Sequence, residues 1–120
     1  MIKKVNLNEK LSLFQTHWDP KIVGELNDQL VKLVKFKGEF IWHKHELEDE
    51  LFLVIKGSFD MLLRDKAIRI NEGEFIIIPH GVEHRPAAED EVHVLLFEPK
   101  TTINTGNNGG KMTKIELDSI

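Results

Sequence analysis

The sequence predicts an all-β fold, either a sandwich or a barrel of short strands. Apolar, β-branched runs recur at intervals of roughly ten residues, and residues that favour turns separate them. The sequence between these runs lacks a long amphipathic helix, which argues against a parallel sheet with helical crossovers. The chain has 120 residues, of which 41% are hydrophobic and 30% charged, as in one globular domain. We therefore expect a single domain over residues 1–120, with a core barrel at about 21–100 and a C-terminal tail at 101–120.

The elements follow from local pattern and turn chemistry. A short helical turn is expected over residues 8–14, with Asn8 as its cap and Glu9 in its first turn. Strand-like sequence begins at Lys21, and Gly38 and Pro79 are expected to end two of the strands. Strands are predicted at Leu30–Phe36, Phe40–His45, Leu51–Ile55, Phe59–Leu63, Ala67–Ile70, Phe75–Ile78 and Val92–Phe97.

The C-terminal tail contains a segment rich in glycine and asparagine, Asn104–Gly110, which is typical of a flexible loop. Beyond it, Ile115 and Leu117 are expected to hold one more edge strand against the body of the protein.

The segment Leu51–Ile55 is apolar at every position, so both of its faces need cover. One face can fill the barrel interior. The N-terminal segment or a second subunit must cover the other face, and the pattern therefore predicts a homodimer.

Composition and charge exclude several functions. The formal net charge of −4, without a basic stripe, argues against nucleic-acid binding. The absence of cysteine excludes disulfides, thiolate metal sites and a cysteine nucleophile. The first residues do not continue into the apolar segment of a secretory signal, and no run is long enough to span a membrane. A cytoplasmic protein without membrane or nucleic-acid partners is the expectation.

Four side chains predict a metal centre. His43 and His45 lie two positions apart on one predicted strand, so they project from the same face. A hairpin would return Glu50 to their side, and His84 arrives after the turn that follows Pro79. Three imidazoles and a carboxylate can hold a first-row transition metal and leave coordination sites open.

The other histidines are expected to lie outside this centre, since an isolated His is more often a surface or core residue. These are His17, His80 and His93. For His93 we expect a hydrogen-bonded core position, with a role as a base inside the barrel as the alternative. The acidic residues Glu46, Glu48 and Asp49 are expected to form a solvated turn. A helical zinc-protease motif is excluded because Asp49 stands where its second histidine would be.

The spacing Gly38-x4-His43-x-His45-x4-Glu50-x6-Gly57, followed by Gly73-x5-Pro79-x-Gly81-x2-His84, resembles the two motifs of the cupin superfamily, in its small single-domain form. The resemblance implies a jelly-roll β-barrel in which His43, His45, Glu50 and His84 coordinate one divalent ion of zinc, nickel, iron, manganese or copper. One departure is Ala88, which stands where many members carry an asparagine that is not a ligand.

A small-molecule pocket is expected beside the metal. Its apolar lining would be Ile41, Phe52, Val54, Phe75 and Ile77, if they share the face of the ligands. Trp18 is expected to pack against the barrel or a partner, with a lid over the pocket as the alternative. Arg64, Arg69 and Arg85 lie near turns and are expected at the surface, although Arg85 could face the pocket mouth.

Three functions remain open from the sequence. The first is a small-molecule metalloenzyme, either an oxygenase or a lyase or isomerase, in which the metal acts as a Lewis acid or an oxygen-binding centre. The second is a sugar or sugar-phosphate isomerase or epimerase, which would need a base and an anion clamp. The third is a non-catalytic, metal-dependent binding module, because a fold does not determine a function.

Overall fold

A computed structural model describes residues 2–120 of the chain, and the all-β prediction is confirmed. The single described helix, α1, spans Leu7–Leu11, and its cap is Asn6, whose Oδ1 accepts a hydrogen bond from the Glu9 N–H at 3.0 Å. The predicted cap, Asn8, was wrong because Asn8 already lies inside the helix. The strands are β1 (Lys21–Leu26), β2 (Gln29–Glu39), β3 (Glu50–Lys56), β4 (Ser58–Leu62), β5 (Ala67–Asn71), β6 (Phe75–Ile78) and β7 (Arg85–Pro99).

The strand β7 organises the sheet. The strands run in the order β1-β2-β7-β3-β6, while β4 pairs with both β5 and β7, and every pair is antiparallel. The first part of β7 pairs with β4, and its second part pairs with β3. The predicted strand Val92–Phe97 is therefore only the second part of an element of 15 residues.

The segment between β2 and β3 differs from its prediction as a strand at Phe40–His45. It forms one isolated bridge, His43 with His84, and lacks a continuous ladder. The strand β2 does not end at Gly38, where its end was predicted. Gly38 has a φ of 82° and lies where the pairing between β2 and β7 shifts register, and β2 then continues to Glu39.

The main core lies between the inward faces of the strands. Val92 and Val94 of β7 are fully buried there, as are Phe59 and Met61 of β4. A second cluster lies on the outer face, where Leu11 and Phe14 of the N-terminal segment pack against Leu33, Ile55 and Leu95. The N-terminal segment thus covers part of the outer face of β3, which is one of the two predicted ways of covering that face.

The strand β6 presents the opposite face from the one expected. Leu53 pairs with Phe75 and Leu51 with Ile77, and paired residues project to the same side of a sheet. Because the inward residues of β3 are Glu50, Phe52 and Val54, the inward residues of β6 are Ile76 and Ile78. The prediction that Phe75 and Ile77 line the barrel was wrong: they are 61% and 51% exposed.

The C-terminal tail returns to the body at β1. Ser119 forms a parallel bridge with Ile22, and the Ile120 N–H donates to the Ile22 carbonyl at 3.0 Å. The predicted edge strand through Ile115 is not formed, and Ile115 is 79% exposed. Over residues 2–120, no helix has the length and apolar character needed to cross a bilayer.

Candidate metal centre

The structure brings His43, His45, Glu50 and His84 together in the barrel interior. All four are buried, and one potential ligand atom from each lies within 4.8 Å of the others. His43 and His84 face each other across the isolated bridge, in which each backbone N–H donates to the other's carbonyl, at 3.1 and 2.9 Å. Their ring centroids are 4.3 Å apart, and the His45 ring lies 5.1 Å from that of His43. A short contact between two loops, rather than a shared strand, therefore positions the imidazoles of His43 and His84.

Two of the rings are oriented by backbone carbonyls. His43 Nδ1 lies 2.9 Å from the Ile41 carbonyl, and His84 Nδ1 lies 2.9 Å from the Val82 carbonyl. Since a carbonyl can only accept, each Nδ1 carries the proton and each Nε2 presents its lone pair. The His84 Nε2 is buried and lacks an aligned hydrogen-bond partner in the described part of the chain, although it lies 3.4 Å from Glu50 Oε1. This arrangement suits metal coordination through Nε2.

The carboxylate of Glu50 supplies the negative charge. Its burial opposes ionisation, but interactions with His45 and then His84 outweigh that effect and hold its pKa well below the usual range. Oε1 of Glu50 lies 3.1 Å from His45 Nε2. Burial, and then the nearby His84, lower the pKa of His43 to about 4. His43 is therefore neutral near pH 7, which is the state that binds metals.

The residues fit a transition metal by both chemistry and distance. Three imidazole nitrogens and one carboxylate oxygen are ligands of the kind that such ions take. Ligand bonds of about 2.1 Å would place opposite donors about 4.2 Å apart, so closure needs movements of only about half an ångström. Held by these four residues, such an ion would supply a Lewis acid that can also bind water or a small molecule. The group could thus hold one divalent ion.

The remaining histidines lie outside the group. His80 contacts Asp49 at 2.9 Å, at an exposed position. His17 and His93 both contact Glu91, at 2.8 and 3.0 Å. The side chain of His93 projects away from the core because its neighbours on β7, Val92 and Val94, face inward. His93 is therefore half-buried on the outer side of β7, rather than in the core.

The acidic turn and the arginines hold surface contacts. Glu46 and Asp49 are exposed, and Glu48 Oε2 accepts a hydrogen bond from Thr101 at 2.8 Å. Arg85 binds the Phe40 carbonyl through Nε and forms an ion pair with Glu39. Arg64 and Arg69 are exposed and pair with Glu83 and Asp60.

A small cavity of about 30 Å³ adjoins the candidate metal centre. His43 and Glu50 form one part of its wall, and Phe36 and Phe52 form an apolar part. Trp18 lines it as well, stacked on Phe36 and Phe40 with centroid distances of 4.4 and 4.8 Å. The prediction that Trp18 packs against the barrel is confirmed. Of the predicted lining residues, Phe52 lies at the cavity, whereas Ile41 does not and Val54 lies in the core.

A buried ion pair beside the cavity was missed by the sequence analysis. Lys32 Nζ lies 3.1 Å from Glu98 Oε1, and each residue is 2% exposed. Burial, and then the negative charge of Glu50, raise the pKa of Glu98 well above its usual range. Strand parity offers a signal for this pair, because Glu98 follows the inward residues Val94 and Leu96 at intervals of two.

Comparison with known proteins assigns the chain to a family. The Cupin domain family (Cupin_2) matches residues 30–110. A solved cupin-2 domain containing protein from Shewanella frigidimarina is 45% identical over 80% of this chain and 94% of that chain, with a TM-score of 0.79. Protein NMB1881 from Neisseria meningitidis is 28% identical over 82% of this chain and 100% of that chain, with a TM-score of 0.75.

A further similarity covers less of the chain. Uncharacterized protein YdbB of Bacillus subtilis is 38% identical over 64 residues, which are 52% of this chain and 57% of that protein. The match thus spans less than two thirds of that relative's length. The family match and the solved structures agree with the antiparallel β fold described above, and the chain belongs to the Cupin domain family.

Proposed function

We propose that His43, His45, Glu50 and His84 bind one divalent transition metal ion, which acts on a small molecule held in the adjoining cavity. The observation that carries this proposal is the convergence of four buried ligand atoms within 4.8 Å. The hydrogen bonds of two Nδ1 atoms to carbonyls support it, since they leave Nε2 free for coordination.

When bound, the ion would supply a Lewis acid with open coordination positions. The protein's own groups set the conditions around it. The carboxylate of Glu50 offsets part of the ionic charge, and the aromatic walls formed by Phe36 and Phe52 exclude bulk water from the bound molecule. The free volume of about 30 Å³ holds about two water molecules, so a bound molecule must be compact and the cavity must widen around it.

A small carbonyl or enol compound fits this cavity better than a sugar phosphate does. Lys32 lies beside the cavity wall, but it already pairs with Glu98. Among the described residues, no arginine lines the cavity, so the clamp that a phosphate needs is missing. We therefore favour a metalloenzyme of the oxygenase or lyase/isomerase class over a sugar-phosphate isomerase.

Turnover by the metal-loaded protein tests this function. Iron-loaded protein would be assayed for oxygen uptake, and nickel- or zinc-loaded protein for conversion, with a panel of small diketones and hydroxy ketones. The expected result is conversion that disappears in His84→Ala and persists in His80→Ala. Thermal stabilisation by these compounds without product would instead show a binding module.

We also propose that the chain forms a homodimer through an outer patch of Leu51, Leu53, Phe75 and Ile77. These residues pair with one another across β3 and β6 and share the outer face of the sheet. The N-terminal cluster covers Ile55 and Leu95, but it does not include any of these four residues. Phe75 and Ile77 are exposed and Leu51 and Leu53 half-buried, and a contiguous apolar area of this kind is typical of a protein interface.

A further inference from the structure

The buried pair of Lys32 and Glu98 lies at the edge of the candidate metal centre. Lys32 is on β2 and Glu98 on β7, and the two strands are paired, so the side chains meet on the inward face. Lys32 Nζ donates to Glu98 Oε1 at 3.1 Å. The pair carries a carboxyl group into the wall of the cavity beside Glu50 and His43.

The Glu98 carboxyl group lies close to that of Glu50, but its second oxygen makes no aligned hydrogen bond in the described part of the chain. Glu98 Oε2 is buried and lacks a hydrogen-bond partner within residues 2–120. Buried carboxyl oxygens are seldom left in this state, because their loss of hydration needs a replacement. Lys32 binds the other oxygen, so the contact that holds Glu98 in place leaves Oε2 for a different partner.

The other polar side chain of the wall is already engaged. Asn104 lines the cavity, but its Nδ2 donates to the Met112 carbonyl and its Oδ1 accepts from the Lys114 N–H, both at 2.8 Å. The rest of the wall, apart from His43 and Glu50, is aromatic or aliphatic. Glu98 Oε2 is thus the free polar contact that the wall offers to a ligand.

We infer that Glu98 determines the specificity of this cavity, by hydrogen bonding a hydroxyl group of a compact ligand whose other oxygens coordinate the metal. A neutral hydroxyl is a better partner than an ammonium group, because Lys32 already supplies a cation to the same carboxyl. A hydroxyl also both donates and accepts. The ligand class is a small bidentate oxygen chelator with a neighbouring hydroxyl, such as a β-hydroxy-α-oxo acid. This inference rests on the proposed metal-dependent function.

Two probes that differ by one hydroxyl test the inference. Pyruvate and hydroxypyruvate would each be titrated calorimetrically into nickel-loaded protein. We expect hydroxypyruvate to bind about tenfold more tightly than pyruvate, as one additional buried hydrogen bond provides. In the double variant Lys32→Met/Glu98→Leu, which removes both charges together, the preference should fall to within about twofold.

Two further variants support the comparison. Glu89→Gln changes an exposed carboxylate of the same strand and should keep the full preference. Glu98→Gln keeps the shape of the side chain, and its amide carbonyl keeps the contact with Lys32. This variant takes the place of the double variant if the double variant fails to fold. Its neutral amide forms a weaker bond, and the preference should fall to about threefold.

Other outcomes overturn the inference. Equal affinity for the two probes, no binding of either one, or an unchanged preference in the Glu98 variants would exclude this role. Equal weakening of both probes together with loss of nickel in Glu98→Gln would mean that Glu98 only supports Glu50. If the wild-type protein takes up no nickel, the proposed function fails first, and the nickel content measured before each titration identifies that case.

Discussion

Asn107 forms hydrogen bonds with both the carbonyl and the N–H of the Lys44 backbone. The Asn107 N–H donates to the Lys44 carbonyl, and its side-chain Oδ1 accepts from the Lys44 N–H, both at 3.0 Å. Lys44 lies between His43 and His45, so the C-terminal tail fixes the backbone that carries two of the proposed ligands. The Asn108 Nδ2 extends this contact by donating to the Trp42 carbonyl at 3.0 Å.

Gly106 tests the importance of that contact. It has a φ of 55°, and a Cβ at this position would overlap the Lys44 carbonyl and lie 3.2 Å from His45 Nδ1. We expect Gly106→Ala to lower the free energy of unfolding by about 2 kcal/mol and to weaken metal binding, because the backbone itself must move. Chemical denaturation and metal titration measure the two effects. Gly109→Ala is the matched control, since nothing lies within 4 Å of its Cβ position; equal effects of the two changes would contradict this role of the tail.

The buried ion pair should respond unequally to removal of its partners. Glu98→Leu leaves the buried ammonium group of Lys32 without a carboxylate and should lower the free energy of unfolding by about 3–5 kcal/mol. Lys32→Met should cost less at pH 7, because the pKa of Glu98 is already raised by burial and by Glu50, so the carboxyl takes up a proton readily. The double variant Lys32→Met/Glu98→Leu should regain most of the stability. Urea denaturation of the three variants measures this order, and a stable Glu98→Leu protein would refute it.

Glu91 gives the stability a defined pH dependence. Hydrogen bonds to His17 and then His93, with the nearby Lys35 as a lesser influence, lower its pKa from 4.5 to about 2. A carboxyl group with a lower pKa in the folded than in the unfolded protein stabilises the fold at pH values above its unfolded pKa. This contribution is lost as the pH falls from 4.5 to about 2. The free energy of unfolding of the wild type should therefore exceed that of Glu91→Gln at about pH 5, and this difference should shrink by about pH 3. Denaturation at both pH values measures it, with Glu89→Gln as the control; a difference independent of pH would contradict the assignment.

The outer patch predicts the state of association. Wild-type protein should sediment as a dimer at micromolar concentration, and Ile77→Lys should sediment as a monomer, because a charge in an apolar interface is costly to bury. Ile115→Lys is the control, since Ile115 is exposed in the tail and is not one of the patch residues. A wild-type monomer, or a dimer that persists in Ile77→Lys, would exclude this interface.

The convergence of His43, His45 and Glu50 was predictable because their spacing is local and their chemistry is specific. The sequence places His43 and His45 two positions apart and Glu50 shortly after them, so one turn suffices to bring the three together. The structure adds a detail that pattern analysis could not supply: His43 and His84 are joined by one bridge rather than by a strand. An apolar sequence pattern predicts a strand, but it does not show whether a neighbouring strand pairs with it along its whole length.

Apart from the helix cap, the errors have a common physical origin in long-range pairing. The short run Phe75–Ile78 is apolar throughout, so its inward face is decided only by its register with β3, which places Ile76 and Ile78 inside. Lys32 and Glu98 belong to strands far apart in the sequence, and their ion pair depends on the register of β2 with β7. The contacts of Asn107 in the tail depend on tertiary packing in the same way.

The most direct test of the central claim is the metal content of the purified protein after loading with excess nickel and removal of unbound ion. Elemental analysis should find about one ion per chain in wild type and in His80→Ala, and far less in His84→Ala and Glu50→Gln. A wild-type protein without bound metal, or a His84→Ala variant that retains a full equivalent, would contradict the account.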